Sequence, residues 1–196
     1  LINPISISEG VVKEFNLNIK KNNYLIYAGL VSEEKGVDSL ISTYNLLVNF
    51  EKTLVIAGDG PLLEKLKHKY KDNEKIKFTG KLTNFEVLSL IKNSYTTITN
   101  TSLYEGQPTL LSEASKLQIN SIYPSSGGIQ EFFPKDNPFA FKANNEIDLL
   151  KKLKLLRHED IVKDQAISNK KFIEEKLKES NYIGRFREIV EWVAKK

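Results

Sequence analysis

The stretch Thr53-Leu54-Val55-Ile56-Ala57-Gly58-Asp59-Gly60-Pro61 sets the fold class of this 196-residue chain. Its first five residues form a short, mostly apolar run, which predicts a strand buried on both faces, as in a parallel sheet. Two glycines and a proline then end the run and predict a tight turn, with Pro61 at the first position of a helix. A buried strand that passes directly into a helix indicates an α/β domain.

The same alternation of apolar runs and helical periods continues along the chain. It predicts strands over residues 24–29, 53–57, 75–79, 95–99, 119–123 and 139–141. It predicts helices over residues 37–50, 62–70, 85–92, 129–133 and 161–177, another from about Ile147, and a final one from Ser180 to Trp192. A further helix is predicted to begin at Gln107-Pro108, and its apolar face would consist of Leu110, Leu111, Ala114 and Leu117. We therefore predict a Rossmann-like, doubly wound parallel sheet of about six strands, each followed by a helix.

Composition limits which kinds of molecule this protein is expected to bind. The net charge is +4, but it comes from lysines spread over helix surfaces, and only three arginines occur. This pattern favours a solvated surface over a nucleic-acid site, with weak attraction to an anionic membrane face as the alternative. The chain has no cysteine, which excludes disulfides and thiol catalysis, and it has no apolar run long enough to span a membrane. We expect a cytoplasmic protein, with the inner face of the membrane as the alternative location if the lysines attract lipid.

Residues 104–114, Tyr-Glu-Gly-Gln-Pro-Thr-Leu-Leu-Ser-Glu-Ala, combine two kinds of ligand group. Backbone N–H groups at a helix start attract phosphate oxygens. Glu105 precedes the turn and Glu113 lies eight residues later, and carboxylates accept hydrogen bonds from sugar hydroxyls. A site with both properties suits a nucleotide sugar.

Other candidates follow predicted strands, so they lie at the carboxyl edge of the sheet, where ligands bind in such folds. Lys35 precedes a helix and either neutralises a phosphate or is simply solvated. The turn from Gly58 to Pro61 is either structural or part of the site. Gly127-Gly128 is either a permissive turn or a phosphate-facing nest. Neither a Walker loop nor the dinucleotide-binding glycine fingerprint occurs.

Taken together and in order, these segments resemble the carboxy-terminal, donor-binding domain of family 4 glycosyltransferases, which forms one half of the two-domain GT-B fold. The matching residues are Tyr27-Ala28-Gly29 with Glu34-Lys35-Gly36, residues 55–61, Ile76-Lys77-Phe78-Thr79-Gly80, Glu105-Gly106-Gln107-Pro108 through Glu113-Ala114, and residues 127–131. The resemblance implies a lead-in over residues 1–20, a donor-binding domain over 21–178 and a returning helix over 179–196. Because the chain has no methionine, we expect it to be cut from a longer protein whose amino-terminal domain binds the acceptor.

The resemblance also implies roles for individual residues. Glu113 would bind the ribose, and Lys35 would neutralise the diphosphate. Glu105, with the backbone of Gly106, Gln107 and Thr109, would hold the sugar and the distal phosphate, which makes Lys35 and Glu105 the catalytic pair. The loop at Gly80-Lys81 would border the base, and the remaining donor contacts would come from Gly29, Gly58, Gly127 and Gly128.

The implied reaction is hexosyl transfer from a nucleotide-diphosphate sugar to a glycan or lipid-linked acceptor. It would proceed with retention and without a metal or other cofactor, the donor being a substrate.

Two positions depart from the family's pattern. Leu30 stands where the family usually has arginine, so a bidentate phosphate clamp is missing. Gln118 and Asn120 replace a usual glycine and proline, which concerns local geometry only.

Leu30 supports the main alternative, a non-catalytic nucleotide-sugar-binding module or inactive partner subunit. A nucleotide-sugar epimerase would need further acid–base residues that this segment does not display. A dinucleotide-dependent dehydrogenase is disfavoured because its glycine fingerprint is absent.

Overall fold

A six-stranded parallel sheet forms the centre of the computed structural model, which describes residues 17–102 and 109–178. The strands are β1 (Tyr24–Ala28), β2 (Thr53–Ala57), β3 (Ile76–Gly80), β4 (Thr96–Ile98), β5 (Asn120–Pro124) and β6 (Ala140–Phe141). They run parallel in the order β3-β2-β1-β4-β5-β6. The predicted Rossmann-like sheet is confirmed, and its order reverses between β1 and β4, which is the point where doubly wound folds bind ligands.

Helices cover both faces of the sheet. They are α1 (Val37–Tyr44), α2 (Leu63–Lys69), α3 (Asn84–Asn93), α4 (Thr109–Lys116), α5 (Glu146–Leu155) and α6 (Glu159–Lys176). Because side chains alternate along a strand, Leu25 and Tyr27 of β1 pack in the layer of α1, α2 and α5, whereas Tyr24 and Ile26 pack in the layer of α3 and α4. Burial on both sides explains why the strands are nearly continuous apolar runs.

Three predicted helix boundaries are wrong. The first predicted helix does not reach residue 50: α1 ends at Tyr44, and exposed Leu46 and Val48 continue the apolar period without being buried. Asn49 then takes a left-handed φ of 53°, which turns the chain toward β2. Amphipathic spacing alone therefore overestimated the length of this helix.

The helix after β2 begins at Leu63, so Pro61 is not its first residue. The N–H of Leu62 donates to the carbonyl of Val31 at 3.0 Å, and this hydrogen bond joins the turn before α2 to the loop after β1.

After β5 the chain forms only a single 3-10 turn, Ile129–Phe132, where a further helix was predicted. Phe133 is extended, with φ −134° and ψ 158°, as expected for a residue that precedes a proline, here Pro134. Helix α4 also differs from its predicted face, because Ser112 and Ser115 are buried with Leu111 and Ala114 while Leu110 and Leu117 are half-buried.

Gln118, which stands where the resembling family usually has glycine, takes a left-handed φ of 58°. The backbone therefore keeps the conformation that glycine would allow, at the cost of some strain. Residues 1–16 and 179–196 lie outside the described residues, so the predicted lead-in and final helix stay predictions. Within the described part of the chain, no helix is both long enough and apolar enough to cross a membrane.

Candidate functional site

A cleft of about 540 Å³ opens at the carboxyl ends of β1, β2 and β3. Its size lies within the range typical of small-molecule sites. The residues that line it are Gly29, Leu30, Ala57, Gly58, Asp59, Gly60, Lys81, Leu82 and Val87. Three residues predicted to bind a donor, Gly29, Gly58 and Lys81, are therefore brought together, beside the point where the strand order reverses.

Close backbone contacts between the strand-end loops build the floor of this cleft. The N–H of Gly29 donates to Ala57 and the N–H of Gly58 donates to Gly80, both at 2.9 Å. A Cβ atom on Gly58 would lie only 1.8 Å from the carbonyl oxygen of Gly29. Gly58 therefore has a structural reason to be glycine, whatever its role toward a ligand.

Gly60 shows the same close approach to the loop after β1. Its Cβ would lie 2.4 Å from the carbonyl oxygen of Val31, while the N–H of Val31 donates to Asp59 at 2.9 Å. The Asp59 carboxylate accepts the N–H of Gly60 at 2.7 Å. The turn after β2 is thus fixed to its neighbour by backbone contacts on both sides.

One lining residue, Leu30, is apolar at the position where the resembling family usually has arginine. Leu30 is 49% exposed, and the hydroxyl of Tyr27 donates to its carbonyl at 2.7 Å. Lys81, on the opposite rim, is exposed. Of the residues that line the cleft, Lys81 is therefore the cation available to a phosphate, and Asp59 is the anion.

Sequence reasoning missed Asp59, Leu82 and Val87 as lining residues. Leu82 precedes α3 and Val87 lies in its first turn. The start of this helix is fixed by a capping box: Thr83 accepts the N–H of Glu86 at 3.3 Å, and the Glu86 carboxylate accepts the N–H of Thr83 at 2.7 Å. The Thr-x-x-Glu pattern is visible in the sequence. It would have placed the helix start, and with it this wall of the cleft.

Glu113 lies in the second turn of α4 and is half-buried. Burial raises the pKa of its carboxyl above the ordinary value of 4.5. No described residue donates a hydrogen bond to this carboxylate, so its two oxygens remain available as acceptors. Thr109, another predicted donor contact, is the first residue of α4 and is exposed.

The other predicted residues lie at the same edge of the sheet but do not line this cleft. Lys35 is half-buried in the loop between β1 and α1. Gly80 ends β3 with φ 72°, and a Cβ there would meet nothing within 4 Å. Gly127 (φ 58°) and the buried Gly128 follow β5, next to Ser126, whose hydroxyl has no hydrogen-bond partner among the described residues. Glu105, Gly106 and Gln107 lie outside the described residues.

Among the described residues, no group of three or more His, Cys, Asp or Glu side chains lies close enough together to hold a metal ion.

Comparison with known proteins gives a consistent result. The family described as "Glycosyl transferases group 1" matches residues 12–178. A search of curated proteins gives no match.

Among solved structures, the chain is similar to the apo form of the lipopolysaccharide outer core galactosyltransferase WaaB (TM-score 0.75, 21% identity, 96% of this chain and 54% of that one). It is also similar to the C-terminal domain of LpcC, a glycosyl transferase group 1 family protein from Francisella tularensis (TM-score 0.72, 18% identity, 83% and 89%).

Anabaena Alr3699/HepE, solved in complex with UDP-glucose, is a third similar structure (TM-score 0.72, 14% identity, 89% and 49%). At these identities the likeness concerns the fold, and the chain spans about half the length of HepE. The sheet and its helices therefore correspond to one half of a GT-B structure. Since the family match covers most of the chain, this protein belongs to the group 1 glycosyl transferases.

Proposed function

We propose that this chain is the donor-binding half of a glycosyltransferase that moves a hexosyl group from a nucleotide-diphosphate sugar to a glycan or lipid-linked acceptor. The observation that carries the proposal is the cleft at the carboxyl ends of β1, β2 and β3, with Gly29, Gly58 and Lys81 on its wall. In doubly wound sheets ligands bind beyond this edge, and β1 flanks the point where the strand order reverses. A uridine diphosphate sugar is the first donor to test, because HepE was solved with UDP-glucose.

Glu113 has the properties expected of a ribose ligand. Its carboxylate is half-buried and receives no hydrogen bond from a described residue, so a pair of vicinal hydroxyl groups would satisfy oxygens that otherwise lose hydration. A hydrogen bond from a neutral hydroxyl to a charged acceptor contributes about 1.5–3 kcal/mol. Burial that raises the pKa in the free protein is consistent with a group that awaits such partners.

The proposed chemistry depends on stabilising the departing diphosphate. Positive charge and oriented N–H groups lower the barrier when they face the oxygens on which negative charge develops. Lys35 and Lys81 are the candidate cations, and the proton of the acceptor hydroxyl would pass toward the leaving phosphate. In this proposal transfer proceeds with retention, requires no metal, and depends on a second domain that binds the acceptor.

One observation favours a second candidate, a module that binds the donor without turning it over. Leu30 is exposed on the cleft wall, where the resembling enzymes carry an arginine that could clamp a phosphate in bidentate fashion. A leucine cannot stabilise the leaving group, so binding would survive better than catalysis.

Titration separates these proposals from each other and from unrelated functions. The chain would be titrated calorimetrically with UDP-glucose, UDP-galactose, UDP-N-acetylglucosamine, GDP-mannose and ADP-glucose, with NAD as the control ligand. We expect saturable binding of one or more nucleotide sugars and none of NAD. Absence of binding to the whole panel would refute the donor-site proposal, whereas binding without transfer or donor hydrolysis by the full-length protein would favour the non-catalytic module.

A further inference from the structure

The loop after β4 holds the backbone on both sides of Lys35. The N–H and the hydroxyl of Ser102 both donate to the carbonyl of Glu34, each at 2.9 Å. The side-chain amide of Asn100 donates to the carbonyl of Gly36 at 3.0 Å. The carbonyls of the two residues on either side of Lys35 are therefore held by one short segment, the loop after the neighbouring strand β4.

Gly36 shows how closely the two loops approach. It is left-handed, with φ 60°, and a Cβ there would lie 2.4 Å from the carbonyl oxygen of Asn100 and 2.8 Å from its side-chain nitrogen. Asn100 also reaches the hydroxyl of Ser39 at 3.4 Å, and that hydroxyl donates to Glu146 at 2.6 Å. The loop is thus tied to α1 and, through Ser39, to α5.

The loop after β4, residues 100–102, is itself held firmly in the fold. Thr101, between Asn100 and Ser102, is 1% exposed, and β4 pairs directly with β1. The backbone of Lys35 therefore lies between two carbonyls that cannot shift without breaking hydrogen bonds, which fixes the origin of its side chain. A charge whose position is restricted acts more strongly than a fully mobile one.

We propose that Asn100 and Ser102 are positioning residues that hold Lys35 in place for a diphosphate, so that together they set the preference for nucleoside diphosphates over monophosphates. This inference rests on the proposed function, because it takes Lys35 as a diphosphate contact. Neither residue touches the ligand in this account; each acts through the backbone that flanks Lys35.

The test compares matched ligands rather than a single affinity. Dissociation constants of UDP and UMP, and of GDP and GMP, would be measured for the unmodified chain and for Asn100→Ala and Ser102→Ala. We expect each substitution to weaken diphosphate binding about three- to tenfold, as for loss of one hydrogen bond, with monophosphate binding nearly unchanged. Ser102→Thr keeps the hydroxyl and should restore the preference.

Two further variants distinguish positioning from a general structural effect. In a Lys35→Ala background the effect of Ser102→Ala on the diphosphate preference should disappear, because the group being positioned is gone. Ser94→Ala is the matched control: it removes a hydroxyl that donates to the carbonyl of Ile91 at 2.8 Å, at the end of α3 and without contact to Asn100 or Ser102, and it should leave the preference unchanged.

Some outcomes would refute only the positioning role of Asn100 and Ser102, and one would also refute the proposed function. A chain that prefers diphosphates equally well with and without Asn100 and Ser102 would overturn the inference while leaving the proposed function intact. The same holds if Ser102→Ala has its full effect in the Lys35→Ala background. If the panel of nucleotide sugars shows an adenine donor instead, ADP and AMP replace these pairs in the same test. A chain that binds no nucleotide sugar of the panel and none of these nucleotides would overturn both.

Discussion

Replacing Gly58 by alanine should destabilise this fold far more than an ordinary glycine-to-alanine change. The added Cβ would lie 1.8 Å from the carbonyl oxygen of Gly29, against the 3.4 Å of an ordinary contact, so the oxygen would have to retreat by about 1.6 Å. Both ends of the contact are backbone, which cannot rotate away as a side chain does. The loops after β1 and β2 must therefore separate.

The expected cost follows from the bonds that such a separation breaks. The N–H groups of Gly29 and Gly58 donate to Ala57 and Gly80, and each hydrogen bond contributes about 1 kcal/mol. Holding alanine at φ 146° adds about 1–2 kcal/mol. The sum, about 3–4 kcal/mol, is a large fraction of the 5–15 kcal/mol that typically stabilises a domain of this kind.

Equilibrium unfolding in urea would measure this cost, with Gly80→Ala as the matched control. Gly80 is also left-handed, at φ 72°, but a Cβ there meets nothing within 4 Å, so only backbone strain of about 1 kcal/mol is expected. Entropy lost by the unfolded chain is the same in both variants and cancels. If the two substitutions cost the same within about 1 kcal/mol, the contact between the loops does not limit stability and the reasoning fails.

Three further predictions concern the site. Glu113→Ala should weaken binding of the donor nucleotide by about 1.5–3 kcal/mol by calorimetry, and unchanged affinity would remove its ribose assignment. Glu113→Gln should stabilise the free protein at neutral pH, because burial raises the folded-state pKa of the carboxyl above 4.5 and stability is lost as pH rises from that value through the folded-state pKa. Thermal melting across pH should show the gain growing over that window and then levelling off, and a gain independent of pH would contradict this account. Leu30→Arg should tighten diphosphate binding by adding a bidentate cation to the cleft; equal affinities of the two proteins would mean that another group already fills that place.

Much of the fold could be predicted from the sequence because two periodicities are strong here. Runs such as Thr53–Ala57 are short, apolar and bounded by glycine, and they are strands in the structure. Boundaries were predicted less well, since they depend on which residues distant segments bury: exposed Leu46 and Val48 continue the apolar period of α1 but lie beyond its end at Tyr44. The 3-10 turn before Phe133 is different, because the following proline is a local signal that could have been used.

The candidate site, too, could be predicted only in part from the sequence. Sequence order was enough to predict which residues lie at the carboxyl edge of the sheet, because parallel strands place all their carboxyl ends on one side. It was not enough to predict that Gly58 touches Gly29, or that the loop after β4 brackets Lys35. Both contacts join residues far apart in the chain, and no local pattern records a distance of that kind.

By itself, then, the sequence determined the fold class, the family and the set of strand-end residues, since these follow from local periodicity and from motif order. Only the tertiary structure decided that Leu30 and Lys81 share one cleft and that Glu113 is a half-buried carboxylate whose pKa is raised by burial. The physical reason is that burial, charge balance and hydrogen bonding are properties of packed neighbours. In a parallel sheet those neighbours come from crossover connections of tens of residues rather than from adjacent positions.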